Sequence, residues 1–122
     1  MKRTTLDTEA GVQAEIRRML SAKGWRSQKI PGSALLKGFP DLYCVHRESG
    51  RIIHIEVKAP KVRLLRWSQV KWFEQFASHQ GFYVVNDPSK LWPTVNGPSN
   101  WHAWVPKDKR LEQVVEEWAE EG

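Results

Sequence analysis

Two strand-like segments separated by a short turn constrain the fold of this 122-residue chain most strongly. Residues Phe39–His46 and Ile52–Lys58 are rich in β-branched and aromatic side chains, which is typical of β-strands. Between them, Glu48-Ser49-Gly50 has the composition of a turn. The pattern predicts a hairpin whose second strand directs alternate residues to opposite faces. One face carries His54, Glu56 and Lys58, and the core-facing side carries Ile53, Ile55 and Val57.

The register of this hairpin determines whether two acids meet. If the loop is Glu48-Ser49, Asp41 lies opposite Glu56 on the same face, and a loop one residue longer separates them. Adjacent carboxylates repel unless a cation lies between them, and Mg²⁺ takes oxygen ligands of this kind. An isolated Glu-x-Lys on a strand is usually a solvated pair. Asp41 follows Gly38-Phe39-Pro40 at an otherwise apolar strand start, however, and burying an acid there without a partner is costly. This acid and the Glu-x-Lys motif together therefore favour a metal site.

The remaining sequence predicts helices around a small mixed sheet. A helix opens at Thr8 with Thr5 or Asp7 as its cap and ends at Gly24. A short strand follows over Trp25–Ile30. The other predicted elements are a helix over Ser68–Gln80, a strand over Phe82–Asn86, irregular structure from Pro88 and an acidic amphipathic helix over Asp108–Glu120. The predicted buried stripe of the first helix is Val12, Ile16, Met19 and Leu20. This order indicates an α/β fold with a small central mixed β-sheet flanked by helices.

Charge and composition limit the function classes. The net charge is +5, but residues 106–122 hold three basic and six acidic residues, whereas residues 1–105 hold 16 and 8. A basic body suits a phosphate-backbone partner, although solubility alone also explains it. No apolar run approaches the roughly 20 residues of a membrane span, and the first residues lack a signal-peptide core. Cys44 is the single cysteine, so we predict no internal disulfide and a cytoplasmic location.

The two motifs together resemble a known nuclease family. Pro40-Asp41 followed by Glu56-Val57-Lys58 is similar to the PD-(D/E)xK signature. The flanking Gly38-Phe39 and Ala59-Pro60, with Gln69 in the following helix, look like its VRR-NUC branch, which includes stand-alone, phage-type nucleases. The resemblance implies a restriction-endonuclease-like fold. It predicts one domain over residues 1–122, with a core over about 8–87 and a Trp-rich loop region and acidic helix over 88–122.

The resemblance also implies roles for individual residues. Asp41, Glu56 and the backbone carbonyl of Val57 would bind Mg²⁺ or Mn²⁺. Lys58 would orient the attacking water or stabilise charge growing on the phosphate, and Gln69 would hydrogen-bond within the site. These residue types suit the chemistry, since a divalent ion polarises a phosphoryl oxygen and a cation supports the developing charge.

The family further implies an acid on the first helix, which offers two acids, Glu9 and Glu15, and the polar neighbour Gln13. At 100° per residue Glu9 falls about 20° from Ile16, on the buried stripe, and Gln13 lies about 40° from Glu9. Glu15 falls about 120° from Glu9, toward solvent. We choose Glu9 as the residue that holds the ion through water or binds a second one. An ordinary first-turn acid favoured by the helix dipole is an equal alternative.

Basic residues around these motifs are candidates for contacts with a nucleic-acid backbone, interleaved as they are with Trp67. The candidates are Lys37, Lys61, Arg63, Arg66 and Lys71. Lys29 and the Pro31–Gly38 loop would flank the same groove. A solvated surface role is the alternative for each one.

The leading hypothesis is a Mg²⁺- or Mn²⁺-dependent endonuclease that hydrolyses DNA phosphodiester bonds. It selects branched, Holliday-junction or flap DNA by shape rather than by sequence, because the chain carries no zinc finger or basic helical extension. The resemblance also implies a homodimer, whose two sites would suit a symmetric substrate. Two alternatives stay open: a catalytically silent DNA-binding or assembly protein on a nuclease fold, and a nuclease acting on RNA.

Overall fold

The fold is given by a computed structural model that describes residues 6–31, 38–77 and 81–107. Its main elements, in chain order, are α1 (Glu9–Ala22), β1 (Trp25–Lys29), β2 (Leu42–His46), β3 (Ile52–Val57), α2 (Trp67–Phe76), β4 (Phe82–Val85) and α3 (Leu91–Val95). Within the described residues no helix has the length and apolar character required to cross a membrane. The predicted C-terminal helix over Asp108–Glu120 lies outside the described ranges.

The described strands form one mixed sheet in the order β1-β2-β3-β4. The pairs β1-β2 and β2-β3 are antiparallel, and β3-β4 is parallel. A parallel pair needs a crossover between its strands, and the segment that contains α2 supplies it. The predicted α/β class, a small mixed sheet flanked by helices, is confirmed.

The predicted hairpin register is also confirmed. Leu42 pairs with Ile55 and Cys44 with Ile53, so the next step outward sets Asp41 opposite Glu56. The prediction that the first strand of the hairpin begins at Phe39 is wrong, because this strand, β2, begins at Leu42. Proline at position 40 cannot donate a ladder hydrogen bond. Asp41 therefore lies just before the strand.

Helix α1 covers one face of the sheet. The side-chain oxygen of Thr8 accepts a hydrogen bond from the Gly11 N–H at 3.0 Å, so Thr8 is the N-cap and the prediction of Thr5 or Asp7 is wrong. The buried stripe packs into a core with the inward side chains of β2 and β3. It consists of Val12, Ile16 and Leu20, with Met19 partly buried beside them. Burial raises the pKa of the Cys44 thiol to about 12, so this core cysteine stays protonated.

Helix α2 covers the opposite face with Trp67, Val70 and Phe73, which pack with Val84 and Trp101. Strand β3 is therefore buried on both sides, and this determines the setting of the polar residues on it. Glu56 is 2% exposed and Lys58 is 7% exposed. Phe76 is 57% exposed because it ends the helix beyond the packed region.

Residues 88–107 are more ordered than the sequence predicts. Two 3₁₀ helices, Pro88–Lys90 and Trp101–Trp104, flank α3. The Asn100 side chain accepts from the Val84 N–H and donates to the Val84 carbonyl, both at 2.8 Å. The amide thus pairs with the outer edge of β4 as a further strand would, which protects that edge from association.

Gly38 permits the close approach of α2 to the sheet, and replacing it with alanine should disrupt that packing. Gly38 has φ +84°, and a Cβ there would lie 2.4 Å from the backbone oxygen of Ser68. We expect Gly38→Ala to lower the free energy of unfolding by about 2–4 kcal/mol, measured by urea denaturation. Gly50 is the matched control, with φ +73° but no atom within 4 Å of its added Cβ. Gly50→Ala should cost only about 1 kcal/mol, and equal losses would contradict the steric account.

Candidate metal centre

Three carboxylates from three parts of the chain converge at one end of the sheet. Glu9 begins α1, Asp41 precedes β2 and Glu56 lies in β3. One oxygen from each group lies within 4.8 Å of the other two. Like charges this close raise the free energy of the ionised state unless a cation or protons compensate.

Asp41 is fixed by the backbone of β3. Its Oδ2 accepts a hydrogen bond from the Val57 N–H at 2.8 Å. Burial raises the pKa of the Asp41 carboxyl, while the Val57 hydrogen bond, the Glu56 side chain and the nearby Lys58 and Lys29 charges act in the opposite direction. The carboxyl is thus oriented by a neutral donor and is not neutralised by it.

Glu56 is the most enclosed acid of the cluster. Its Oε2 accepts a hydrogen bond from Gln69 Nε2 at 2.6 Å, and its Oε1 is buried without a hydrogen-bond partner among the described residues. Burial, and then the Asp41 charge, hold the pKa of Glu56 well above its ordinary value of 4.5. A buried carboxylate oxygen without a donor requires an explanation, and a ligand at the cluster provides one.

Lys58 and Gln69 form a bridge across the buried side of the cluster. Lys58 Nζ donates to Gln69 Oε1 at 2.6 Å and lies 3.6 Å from Glu56 Oε2. Gln69 Oε1 also accepts from the Arg66 N–H at 2.9 Å, as expected of the third residue of a helix. The Gln69 amide therefore has a fixed orientation, with oxygen toward the ammonium and nitrogen toward the carboxylate.

The three candidates on the first helix differ in position. Glu9 supplies an oxygen to the cluster, but it is exposed, so the prediction that it lies on the buried stripe is wrong. As the first residue of α1 it lies where the helix end meets the site. The carboxyl group itself is partly desolvated, and this, followed by the Asp41 charge, raises the pKa of Glu9. Glu15 instead pairs with Arg18, and Gln13 is half-buried.

Among the basic candidates Arg66 lies near the cluster, since its charge lowers the pKa of Glu9. Lys61, Arg63, Arg66 and Lys71 are exposed, and Lys37 falls outside the described residues. Lys29 ends β1 beside the cluster, since the next residue, Ile30, donates its N–H to the Asp41 carbonyl at 2.8 Å. Its charge lowers the pKa of both Glu9 and Asp41. The strand pairing of β1 with β2 is the signal that places Lys29 here.

His54 shares the sheet face of Glu56 but serves packing. Its ring stacks on Phe82 at 4.6 Å and meets the edge of Tyr43 at 5.4 Å. Burial lowers the pKa of His54, which favours the neutral ring. These contacts indicate that His54 is an ordinary packed strand histidine.

The donor set fits a divalent cation. Hard ions such as Mg²⁺ take carboxylate oxygens, and the cluster offers three of these groups. The partnerless Glu56 oxygen and the raised pKa values are what a site built around positive charge would have without it. The cluster therefore has the chemistry of a metal site.

Stability should depend on pH in the direction set by Glu56. Because its pKa is raised in the folded state, the fold binds more protons than the unfolded chain between pH 4.5 and the raised value. The free energy of unfolding of the metal-free protein should therefore fall as pH rises through that interval. Urea denaturation in EDTA across the interval measures it.

Glu56→Gln is the comparison for this prediction, and it should remove much of the falling slope. The comparison is needed because the lowered pKa of His54 contributes the opposite slope. For that residue, the free energy of unfolding falls as pH decreases below 6.5, the ordinary pKa of a histidine. An unchanged slope in Glu56→Gln would contradict the assignment to Glu56.

One protein family matches this chain. The sequence model described as the VRR-NUC domain matches residues 7–87. No curated protein and no solved structure gives a match. The matched span contains α1, α2 and the four described strands, and it includes the whole carboxylate cluster. The predicted family resemblance and its restriction-endonuclease-like fold are confirmed, whereas a phage-type origin stays a prediction.

Proposed function

The chain belongs to the VRR-NUC domain family, and on this basis we propose that its nuclease activity is divalent-metal-dependent endonucleolytic hydrolysis of DNA. One observation carries the proposal most directly. Three carboxylate oxygens lie within 4.8 Å of one another, and the Glu56 group among them hydrogen-bonds to Gln69, which in turn binds Lys58. Acidic oxygens beside one fixed ammonium group match the needs of phosphoryl transfer to water.

Asp41, Glu56 and the Val57 carbonyl would hold Mg²⁺ or Mn²⁺, and Glu9 would hold it through water or bind a second ion. When bound, the ion would supply Lewis acidity to the phosphate and lower the pKa of a coordinated water. The hydrogen bond from the Val57 N–H keeps Asp41 in place before any ligand arrives. Preorganised ligands reduce the reorganisation that binding requires.

Lys58 would act on the substrate directly. Its ammonium orients the attacking water or stabilises the negative charge that grows on the phosphate. Gln69 accepts one hydrogen bond from Nζ and holds the group beside the carboxylates. An ammonium group has three donors, so donors remain for the substrate. Gln69 acts through Lys58 and Glu56 as a positioning residue.

We further propose that the substrate is branched or flapped duplex DNA and that the active form is a homodimer. The basic excess of residues 1–105 supports a phosphate-backbone partner. The exposed basic residues that follow β3 in the chain support the same, namely Lys61, Arg63, Arg66 and Lys71. Residues 1–122 would act as one domain, since Leu91 and Val95 pack in the core with α1.

Cleavage assays with matched substrates test this function. A four-way DNA junction, a linear duplex of the same sequence and an RNA duplex are incubated with Mn²⁺, Mg²⁺ or EDTA. We expect the junction to be cut at least about tenfold faster than the duplex with either metal, and no cutting in EDTA. Preferential RNA cutting would favour the ribonuclease alternative. DNA binding without cutting would favour the catalytically silent alternative. The molar mass of the protein, measured by light scattering as it elutes from a size-exclusion column, tests the dimer.

A further inference from the structure

A second cationic surface lies along β1, separate from the carboxylate cluster. An open groove of about 1010 Å³ lies at the outer edge of the sheet, lined by α1 and by residues from both faces of β1. Its lining includes Arg17, Arg18 and Arg26, with Trp25, Gln28 and Tyr43, and no acidic residue is among the described lining residues. Glu15 pairs with one of these guanidinium groups, that of Arg18, and the other two leave a net positive charge that attracts a polyanion.

The three arginines are held differently. Arg17 Nε donates to Ser27 Oγ at 3.0 Å and Nη2 donates to the Ser27 carbonyl at 3.1 Å. Arg18 pairs with Glu15. Arg26 is exposed and makes no ion pair or side-chain hydrogen bond in the part of the chain that the structure describes. Arg26 is thus the member free to bind a ligand.

The Arg17 contact also narrows the choice of occupant. The backbone groups of successive strand residues point alternately toward and away from the neighbouring strand. Ile30 donates its N–H to the β2 side, so the Ser27 carbonyl, three residues earlier, points away from β2 toward the outer edge of the sheet. The Arg17 guanidinium already donates a hydrogen bond to that carbonyl. A protein partner that adds a strand to this edge would have to break the hydrogen bond. The groove therefore suits a phosphate backbone better than a strand-forming protein.

The register connects the groove floor to the carboxylates. Arg26 pairs with Val45 and Gln28 with Tyr43, and cross-strand partners lie on the same face. Two further steps along β2 from Tyr43 reach the position of Asp41, so these side chains share one face of the sheet. At about 3.3 Å per residue, Arg26 is about 13 Å along the strand from the position opposite Asp41. A DNA duplex rises 3.4 Å per base pair, so this span would correspond to about four base pairs of a duplex whose axis follows β1.

We propose that this groove binds the phosphate backbone of a duplex arm of the DNA substrate, with Arg26 as a phosphate contact about four base pairs from the cleaved bond. The proposal rests on the proposed DNA substrate. It adds a binding surface and a minimum arm length, which the catalytic centre alone does not require.

The test separates binding from cutting. Fluorescence anisotropy in EDTA gives the affinity for a labelled junction across a salt series, so catalysis does not enter. For Arg26→Ala we expect about fivefold weaker binding and a log–log salt slope reduced by about one. Arg26→Lys keeps the charge and should keep the slope. Lys90 is an exposed lysine of the 3₁₀ helix that follows β4 and does not line the groove, so Lys90→Ala should change neither quantity.

Arm length gives a second readout. Junctions whose arms end within about two base pairs of the cleaved bond should bind Arg26→Ala and the unaltered protein equally. When cleavage rates with Mn²⁺ are measured over a range of long-armed substrate concentrations, Arg26→Ala should leave kcat unchanged and raise KM. Equal slopes for Arg26→Ala and the unaltered protein would overturn the proposal, as would an equal loss in Lys90→Ala. DNA binding that depends on Arg26 without cutting would refute the proposed nuclease function alone.

Discussion

Lys58→Met is expected to reduce DNA cleavage by about 10²–10³-fold, because it removes the ammonium group that lies among the carboxylates while keeping a side chain of similar length. Lys58 is 7% exposed, so its charge acts in a partly dry site where it is screened less than on the surface. Initial rates with Mn²⁺ on a junction substrate measure the loss. The stabilisation of the fold by Mn²⁺ should persist, since the three carboxylates remain.

Lys90→Met is the matched control for this prediction. Lys90 is an exposed lysine in a 3₁₀ helix after β4, so losing its charge should leave the rate unchanged. Cleavage by Lys58→Met at the unaltered rate would show that the ammonium group does not take part. A loss of Mn²⁺ stabilisation as large as the loss of rate would instead make Lys58 necessary for binding the ion.

Asp41→Asn is expected to have two effects of opposite sign. Cleavage should fall by at least about 10³-fold, since a hard-cation ligand is lost. The metal-free protein should become more stable by about 1 kcal/mol, because a charge beside Glu56 and Glu9 is removed. The asparagine carbonyl can still accept the hydrogen bond from the Val57 N–H, so the local backbone contact is kept.

Urea denaturation in EDTA and in Mn²⁺ measures the second effect. The extra stability from Mn²⁺ should disappear in Asp41→Asn, since a ligand stabilises a fold only as far as it binds it. Asp87→Asn is the control, a partly exposed acid whose pKa is lowered by its hydrogen bonds to Ser89. Its removal should not increase stability. A destabilised Asp41→Asn protein that still gains stability from Mn²⁺ would contradict the shared cation site.

The hairpin and its two acids were predictable because local rules determine them. Side-chain direction alternates along a strand, and the loop length sets the register, so the Glu48-Ser49 turn was sufficient to align Asp41 with Glu56. The observed pairing of Leu42 with Ile55 follows that rule. The buried stripe of α1 was predictable for a similar reason, since its helical period is intact.

The burial of Glu56 and Lys58 was not predictable from local patterns. It depends on α2 packing over β3, which requires the close contact of Gly38 with Ser68 across 30 residues of chain. The role of Asn100 at the edge of β4 is likewise a long-range contact without a sequence period. The exposure of Phe76 has the same origin, because the packed face ends before the helix does.

A crystal soaked in MnCl₂ tests the shared cation site most directly. The account predicts an anomalous peak at the cluster, about 2.0–2.4 Å from carboxylate oxygens of Asp41 and Glu56, with Glu9 bound directly or through water. The same crystal form of Asp41→Asn should lose that peak. Full Mn²⁺ soaking with no peak there, or with a peak only elsewhere on the protein, would contradict the account.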